Sequence, residues 1–226
     1  MALTQTLAGY LAETRAYLHD ALGTYTSDAD LTTFINKAMQ QRDRDTGQNR
    51  SLFQFTLSAG TMNYDITTIA STATLLVGTS RNAIDAFGIV LFFGNVRYQM
   101  AERTYTQTGS FYQPYQGYQD IPCVYAKYGA TQVILGPVPN QNFTTQWDMV
   151  VVSNPLVNPT DQDPLPYPWT DPVPFKAAEF AKQQLQQYDE AQQYRQQYMA
   201  RLAEVTGGAR GRFLADPYHV TRTQWP

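Results

Sequence analysis

The chain has 226 residues and a formal net charge of −3, and 15% of its residues are charged, against about 25% in typical domains. This length allows one or two domains, and the acidic balance argues against a protein that grips nucleic acid through its phosphates. A single cysteine excludes an internal disulfide and fits a reducing compartment. We expect a soluble intracellular product, because the start lacks the basic region of a signal peptide and the longest apolar run, Ile89 to Phe93, is far shorter than the roughly 20 residues that cross a bilayer.

Polarity in this chain comes from Gln, Thr, Asn and 16 Tyr residues more than from charges. Tyrosine offers a broad amphipathic contact area and is enriched where protein surfaces meet. The composition therefore favours a protein that is covered by neighbouring subunits. A monomer with a Tyr-rich core is the alternative that composition leaves open.

Two amphipathic helices are predicted near the N-terminus. Residues 4–22 form the first, with Gly23 placed to end it, and Ser27 is placed to cap the second, which Gly47 stops near Thr46. The apolar stripe of the first is Leu7, Tyr10, Leu11, Leu18 and Leu22, and that of the second is Leu31, Phe34, Ile35, Ala38 and Met39. Neither helix can bury its stripe alone, so we expect both to pack against helices from elsewhere in the chain.

The middle of the chain, from about residue 50 to residue 155, changes to the period of strands. The predicted strands are residues 52–57, 62–66, 89–93, 133–135 and 147–152, separated by glycines and prolines. These strands predict a β-rich module inserted between the N-terminal and C-terminal helices.

Inside that module, the segment from Tyr105 to Tyr118 is low in complexity and poor in strand formers. It is predicted either as a flexible loop or as a short helix followed by a loop that orders against a partner. The candidate contacts to a tail protein or to a neighbouring subunit are Tyr105, Phe111, Tyr112, Tyr115 and Tyr118.

The stretch from Asp163 to about Val205 is the segment around which the chain is organised. Its prolines stop a helix from extending backward, and Asp171 is predicted to cap the helix that follows. The apolar stripe there is Phe175, Ala178, Ala181, Leu185, Tyr188, Ala191, Tyr194, Tyr198, Leu202 and Val205. Phase alone allows one helix or two, but Asp189 in mid-run favours a tight helical hairpin that breaks near Tyr188, although no glycine marks the turn. We expect these helices and the N-terminal helices to form one bundle.

Residues 206–226 follow Gly207-Gly208 without a recognisable period and carry arginines together with large apolar side chains. Aromatic and Arg residues dominate interface energetics, so we predict an extended tail that docks on a partner. A disordered tail is the alternative. The predicted contact residues are Arg210, Arg212, Phe213, Leu214, Tyr218 and Trp225.

No pattern in the chain indicates catalysis, and we predict no catalytic residue, no metal ligand, no cofactor and no enzyme activity. The two histidines, His19 and His219, have no partners at zinc-ligand spacing. Cys123 is predicted to be a buried structural thiol. Asp161 and Asp163 lack the Gly and Glu of a calcium loop, so they are predicted to form turns beside Pro164.

An ordered set of short motifs extends through nearly the whole chain. The motifs are Tyr17-Leu18-His19-Asp20, Ser27-Asp28 with Leu31, Ile35-Asn36-Lys37-Ala38, Arg42-Asp43-Arg44-Asp45-Thr46-Gly47, Ile121-Pro122, Tyr125-Ala126-Lys127-Tyr128-Gly129, Leu135-Gly136-Pro137-Val138-Pro139, Asp163-Pro164, Leu165-Pro166 and Trp169. In this order they resemble the phage head-to-tail adaptor (connector) proteins, which lie beneath the portal of tailed bacteriophages.

The resemblance implies an α+β fold with a helical bundle, an inserted β-rich module and an extended C-terminal tail. The expected boundaries are 1–48 and 161–205 for the bundle, 49–160 for the module and 206–226 for the tail. It also implies a ring, of twelve copies to match the portal, that is made in the host cytoplasm and resides in the virion neck.

The expected partners are the portal protein, on which the tail would dock, the tail tube or nozzle proteins, and double-stranded DNA that passes through the lumen without sequence-specific binding. No membrane partner is expected. A tail or baseplate component whose β-module binds a receptor or a glycan is the alternative.

Overall fold

A computed structural model describes residues 4–20, 22–106 and 118–214, and for residues 208–214 it describes the backbone alone. The elements in chain order are β1 (Thr4–Thr6), α1 (Leu7–Leu18), α2 (Asp28–Thr46), β2 (Arg50–Leu57), β3 (Asn63–Asp65), α3 (Ile66–Thr72), β4 (Thr74–Val77), β5 (Asn82–Phe93), β6 (Val96–Gln99), β7 (Ala101–Glu102), β8 (Gln119–Asp120), β9 (Val124–Tyr128), β10 (Gln132–Gly136), β11 (Val138–Pro139), β12 (Phe143–Val152), β13 (Gln162–Pro166), α4 (Val173–Gln184) and α5 (Tyr188–Leu214). The predicted α+β class is confirmed.

The chain divides into two compact units. The first combines Met1–Arg42 with Pro155–Pro226, and the second is Asp43–Asn154. The first unit contains a small antiparallel sheet of β1 and β13 together with helical layers. Its main core draws on α1, α2, α4 and one loop residue, and consists of Leu7, Tyr10, Ile35, Ala38, Met39, Leu156, Val173 and Ala177.

Helix α1 is shorter at both ends than its apolar pattern predicts. It begins after Thr6, whose hydroxyl accepts a hydrogen bond from the backbone N–H of Gly9 at 3.1 Å, and residues 4–6 form strand β1 instead. It ends at His19, which adopts the left-handed conformation (φ 54°), so the helix stops before Gly23 and leaves Leu22 93% exposed. Asp20 then accepts three backbone N–H groups from the loop that follows, which holds the chain away from the helix axis.

Helix α2 follows its sequence signals closely. The Ser27 hydroxyl accepts the backbone N–H of Asp30 at 3.1 Å and donates to the Asp30 carboxylate at 2.7 Å. The helix ends at Thr46, after which Gly47 takes a positive φ of 61° and donates its N–H to the carbonyl of Asp43. Both ends were predicted from residues whose side chains or backbone cap the helix directly.

The C-terminal helices form the predicted hairpin. Helix α4 ends at Gln184 and α5 begins at Tyr188, and Gln186 takes the left-handed conformation (φ 60°) that a glycine would adopt more easily. The predicted cap is wrong, because the residue at the N-cap of α4 is Pro172 and no side chain of that residue bonds to the helix. Leu185 and Tyr188, which the pattern placed on the buried stripe, lie at the turn and are 36% and 67% exposed.

The second unit contains an antiparallel five-stranded sheet in the order β4-β2-β12-β5-β6, a four-stranded sheet in the order β3-β10-β9-β7, and the pair β11-β8. One continuous core includes residues of both larger sheets and of α3, with Trp147 fully buried. The predicted strand 62–66 is shorter than its pattern suggests. Asp65 caps α3 by accepting the backbone N–H groups of Thr67 and Thr68, so Ile66 is helical.

Candidate assembly surfaces

Helix α5 is held on the rest of the first unit by a narrow stripe. Ala191, Tyr198 and Val205 are buried on it. Lys176 of α4 lies 5.3 Å from the ring centre of Tyr198, and Lys182 lies 2.6 Å from the carboxylate of Glu190. The hairpin is therefore closed by apolar contact, by cation–π contact and by an ion pair across its two arms.

The rest of α5 faces outward and is polar with few charges. Met199 is 52% exposed, and the exposed uncharged residues between positions 192 and 203 are Gln192, Gln193, Gln196, Gln197, Met199, Ala200 and Ala203. A helix face with amide and small side chains can be covered at little cost when its amides find hydrogen-bond partners in the covering surface. This face suits contact with another protein.

The last helix extends into the segment predicted to be an extended tail. Helix α5 continues through Gly207 and Gly208 to Leu214, so residues 206–214 are helical and not extended. An interior glycine costs only about 1 kcal/mol relative to alanine, which does not stop a helix that is already formed. Thr206 supports the continuation by donating its hydroxyl to the carbonyl of Leu202 at 2.7 Å.

The predicted portal-contact residues divide at the end of this helix. Arg210, Arg212, Phe213 and Leu214 lie on the last turns of α5, and Tyr218 and Trp225 lie outside the described residues. The structure thus places four of these residues on one helical segment that continues from the hairpin.

A groove of about 460 Å³ lies where the end of α1 meets α4 and α5. Its lining residues are Ala16, Tyr17, His19, Phe175, Tyr194, Gln197, Ala200 and Arg201. Two of its rings, Tyr17 and Phe175, stack with centres 4.6 Å apart, and Tyr194 donates its hydroxyl to the carbonyl of Tyr17. Burial, and then the nearby carboxylate of Glu13, raise the pKa of Tyr17 to about 12. Aromatic rings therefore form much of the wall of this groove. At its rim, Arg201 forms ion pairs with Asp171 and Glu204 at 3.7 and 3.3 Å.

The low-complexity loop is described only at its two ends. Tyr105 packs its ring 4.7 Å from that of Tyr128, which is 54% exposed. Tyr118 is 52% exposed and donates to the carboxylate of Asp120 at 2.9 Å, a bond that raises the pKa of the Tyr118 hydroxyl. The remaining predicted contacts, Phe111, Tyr112 and Tyr115, lie outside the described residues. The described ends of this segment are therefore a half-buried tyrosine, Tyr105, and an exposed one, Tyr118.

A buried ionic network joins distant parts of the first unit, and the sequence analysis missed it. Arg42 of α2 makes two bonds to the Asp163 carboxylate, at 2.6 and 3.2 Å, and both side chains are fully buried. Tyr10 of α1 donates to the same carboxylate at 2.6 Å, and the backbone N–H of Leu165 donates at 2.9 Å. Burial, and then the Asp163 charge, raise the pKa of the Tyr10 hydroxyl far above its ordinary value.

This network corrects the interpretation of Asp163 as a simple turn residue. Asp161 forms only a turn, since it accepts the backbone N–H groups of Val157 and Asn158 at 2.8 Å. Asp163 forms the predicted turn through its bond to the N–H of Leu165 and also carries the ion pair. The signal that could have indicated the difference is the presence of Arg42 at the buried side of α2, where a charge requires a partner. The network joins α1, α2 and β13, and its role is structural.

The chemistry of the remaining side chains adds no reactive site. Cys123 is exposed, so the predicted buried thiol is wrong; it lies beside the buried Pro122, at the edge of a strand where its side chain points outward. Within residues 4–20, 22–106 and 118–214, no group of three His, Cys, Asp or Glu side chains is arranged to hold a metal ion. In the same part of the chain, no helix is both long and apolar enough to cross a bilayer.

Comparison with known proteins gives one match that covers nearly the whole chain. A family model described as SU10 adaptor protein matches residues 5–220. Comparison with curated proteins gives no match.

Proposed function

Because the chain belongs to the SU10 adaptor protein family, a family of phage head-to-tail adaptors, we propose that it forms a ring beneath the portal of a tailed phage, extends the DNA channel and attaches the tail. The match across residues 5–220 is the observation that carries this proposal. The sparse charge and the exposed glutamines and tyrosines support it, because subunits of a permanent ring bury large weakly charged surfaces.

The proposed partners follow from this position in the virion neck. The portal protein lies above the ring and the tail tube or nozzle proteins lie below it, with twelve copies matching the portal. The protein is made in the host cytoplasm before it joins the particle. Double-stranded DNA passes through the lumen without sequence-specific binding, and the net charge of −3 supports free passage, since a lumen that bound phosphates tightly would hold DNA back.

In the proposed arrangement, the N-terminal and C-terminal helices form a bundle that carries residues 49–160 as an inserted β-rich module. The division into two compact units supports this arrangement, since the first unit is built from both ends of the chain. Residues 161–205 complete the bundle, and residues 206–226 contact the portal. Helix α5 would present Arg210 and Phe213 at its end, so the portal contact begins with a helix.

Imaging the purified chain together with the portal protein of its phage tests the proposal. We expect a closed ring of copies coaxial with the portal and around an open channel. Copies that project outward from the particle would instead support the receptor-binding or glycan-binding alternative. A chain that does not associate with the portal at all would overturn the proposal.

A pair of truncations then separates the two parts of the proposed portal contact. Ending the chain after Thr206 removes all six predicted contacts, and ending it after Leu214 removes only Tyr218 and Trp225. We expect the shorter chain to keep its circular dichroism spectrum and to lose sedimentation with the portal, because Thr206 still completes its bond to Leu202. The longer chain should retain part of the binding. Full binding by the shorter chain would show that the contact lies elsewhere.

A further inference from the structure

The five-stranded sheet of the second unit has an outward face that is continuous across four strands. Trp147 is fully buried, so the next residue on β12, Asp148, projects from the opposite face. The antiparallel partners of Asp148 are Leu52 and Gly88, and Leu52 is in turn paired with Val77. Directly opposed residues share a face, so these four positions form one outward row.

This row is apolar and electrically neutral. Val77 is 64% exposed and Phe87, next to Gly88, is 54% exposed. The guanidinium of Arg50 lies 3.4 Å from the ring centre of Phe87 and 3.3 Å from the carboxylate of Asp148, so its charge is matched within the row. We name this surface the outer patch; it consists of Arg50, Leu52, Val77, Phe87, Gly88 and Asp148.

Gly88 lies beside a β-bulge, because the register of β5 on β12 shifts between the pairs Asp148–Gly88 and Met149–Ala86 and leaves Phe87 as the extra residue. The φ of Gly88 lies outside the left-handed region that favours glycine, and a Cβ added there would meet no atom within 4 Å. Glycine in the interior of a strand weakens the strand, and it often marks a place where another backbone approaches closely. The space above Gly88 is therefore available to a second molecule, and the missing side chain lets that molecule come close.

A different apolar surface lies at the opposite edge of the same sheet. Tyr98 of β6 is paired with Leu91, which is fully buried, and Val96 is paired with Phe93. These pairs put Val96 and Tyr98 on the core side of the sheet, yet Phe93, Val96 and Tyr98 are 42%, 50% and 47% exposed. The core side thus extends past the layers that cover it, and we name Phe93, Val96 and Tyr98 the rim patch.

The two patches are unlike, lie on opposite faces of one sheet, and are centred toward opposite edges of its strand order. A contact between two different patches repeats from copy to copy, and it gives a ring when the rotation between copies closes and a filament when it does not, whereas a two-fold contact needs only one self-complementary patch. Neither patch carries an unmatched carboxylate, and the single extra cation beside the rim patch, Arg97, lies against Phe92 on the other face. A neutral patch favours a charge-poor partner, and this chain, with 15% charged residues, is itself such a surface.

We propose that the outer patch of one copy packs against the rim patch of the next copy around the ring, with the space above Gly88 receiving the neighbour. The proposal rests on the proposed function, because it assumes that the chain assembles into a ring. It assigns to the β-rich unit the contact between neighbouring subunits.

Filling the space above Gly88 tests the proposal. The variant Gly88→Leu should fold with an unchanged circular dichroism spectrum and an undiminished melting temperature, because a Cβ at this position has open space around it from which the side chain can extend outward. We expect the concentration needed for half-maximal ring formation on the portal to rise at least about tenfold, a typical effect of disturbing a central contact. The control is Thr56→Leu, which places a leucine on the same outward face, where Thr56 is paired with Thr144 away from the outer patch.

If Gly88→Leu fails to fold, Gly88→Ala replaces it, with the same direction of effect and a smaller rise. Wild-type rings together with Gly88→Leu or Gly88→Ala rings that form equally well would overturn the patch assignment and leave the proposed function standing. A wild-type chain that forms no ring with or without the portal would overturn the proposed function itself.

A mixing experiment tests whether the contact joins unlike patches. Gly88→Leu spoils the outer patch and Tyr98→Ser spoils the rim patch, so each variant keeps one intact patch. After cross-linking on the portal, each variant alone should give monomers, and an equal mixture should give dimers and nothing larger. Dimers from either variant alone, or full rings from the mixture, would refute the contact.

Discussion

The buried pair of Arg42 and Asp163 gives the sharpest test of how the first unit is held together. Replacing Arg42 with Met keeps most of the side-chain volume and removes the two guanidinium bonds to Asp163, at 2.6 and 3.2 Å. Asp163 then keeps only the Tyr10 hydroxyl and the Leu165 N–H as donors, in a site with no exposure to water. Breaking one side of a buried pair costs about 3–5 kcal/mol, and the two remaining donors place the expected loss near the lower end, at about 3 kcal/mol.

Urea denaturation measures this loss, and hydrogen exchange of peptides from α1 and α2 attributes it to the first unit. With a slope of about 2 kcal/mol per molar urea, the midpoint should fall by roughly 1.5 M. The matched control is Lys37→Met on the same helix, an exposed position where the change should stay within about 0.5 kcal/mol. The double variant Arg42→Met with Asp163→Leu removes both charges and should recover much of the loss. A loss below about 1 kcal/mol in the single variant, or a double variant less stable than it, would refute the reasoning.

Two further predictions concern local structure. Asp65→Ala removes the cap of α3 and should cost about 1 kcal/mol at neutral pH. Hydrogen bonds from the Thr67 and Thr131 hydroxyls hold the pKa of Asp65 down at about 2, so its ionised form stabilises the fold above pH 3.8 and that contribution is lost as the pH falls through about 2. Urea titrations should show the difference from wild type shrinking over that range, while the control Ser71→Ala stays flat; a difference that grows in acid would contradict the assignment. Gln186→Gly should raise stability by about 0.5 kcal/mol, because glycine adopts the positive φ of the hairpin turn without the side-chain penalty. The control Gln187→Gly, at a position outside the left-handed region, should lower stability instead, and equal effects at the two positions would count against a conformational cause.

The parts of the fold that the sequence predicted well are those in which the signal is local. Helix α2 is bounded by a hydroxyl cap at Ser27 and by a glycine at position 47, and each acts on backbone within a few residues. The strands with two-residue periodicity, such as β2 and β10, were found because burial of alternate side chains leaves that pattern in the sequence itself.

The parts that the sequence missed depend on partners far away in the chain. Arg42 and Asp163 are separated by 121 positions, and the residues around each of them do not indicate that the two side chains pair. The end of α1 at His19 depends on how Asp20 binds the following loop. Histidine is not a residue from which sequence patterns predict a left-handed helix end. The exposure of Cys123 is likewise decided by which face of its sheet the residue just before β9 lies on, and that depends on pairing with strands distant in the chain.

The candidate contact surfaces show the same division. Composition predicted a protein built for contact, and the motif order predicted the family that the match over residues 5–220 then established. The portal-contact residues remain a prediction, with four of them now placed on the end of α5. The outer patch could not be predicted from the sequence, because Gly88 reads as an ordinary strand glycine until the empty space above it is known.

The first unit is completed only by residues that lie after Asn154, whereas the second unit consists of one uninterrupted stretch. During synthesis at about 5–20 residues per second, the N-terminal segment must wait roughly 6 to 22 seconds, the time that translation of residues 43–154 takes, before its partners leave the ribosome. Throughout that interval Leu7 and Ile35 lack their C-terminal partners, and the five-stranded sheet is likewise incomplete until its central strand β12 is made. The nascent chain therefore depends on chaperones or on brief non-native contacts at its beginning, and slowing translation after residue 154 should increase its aggregation.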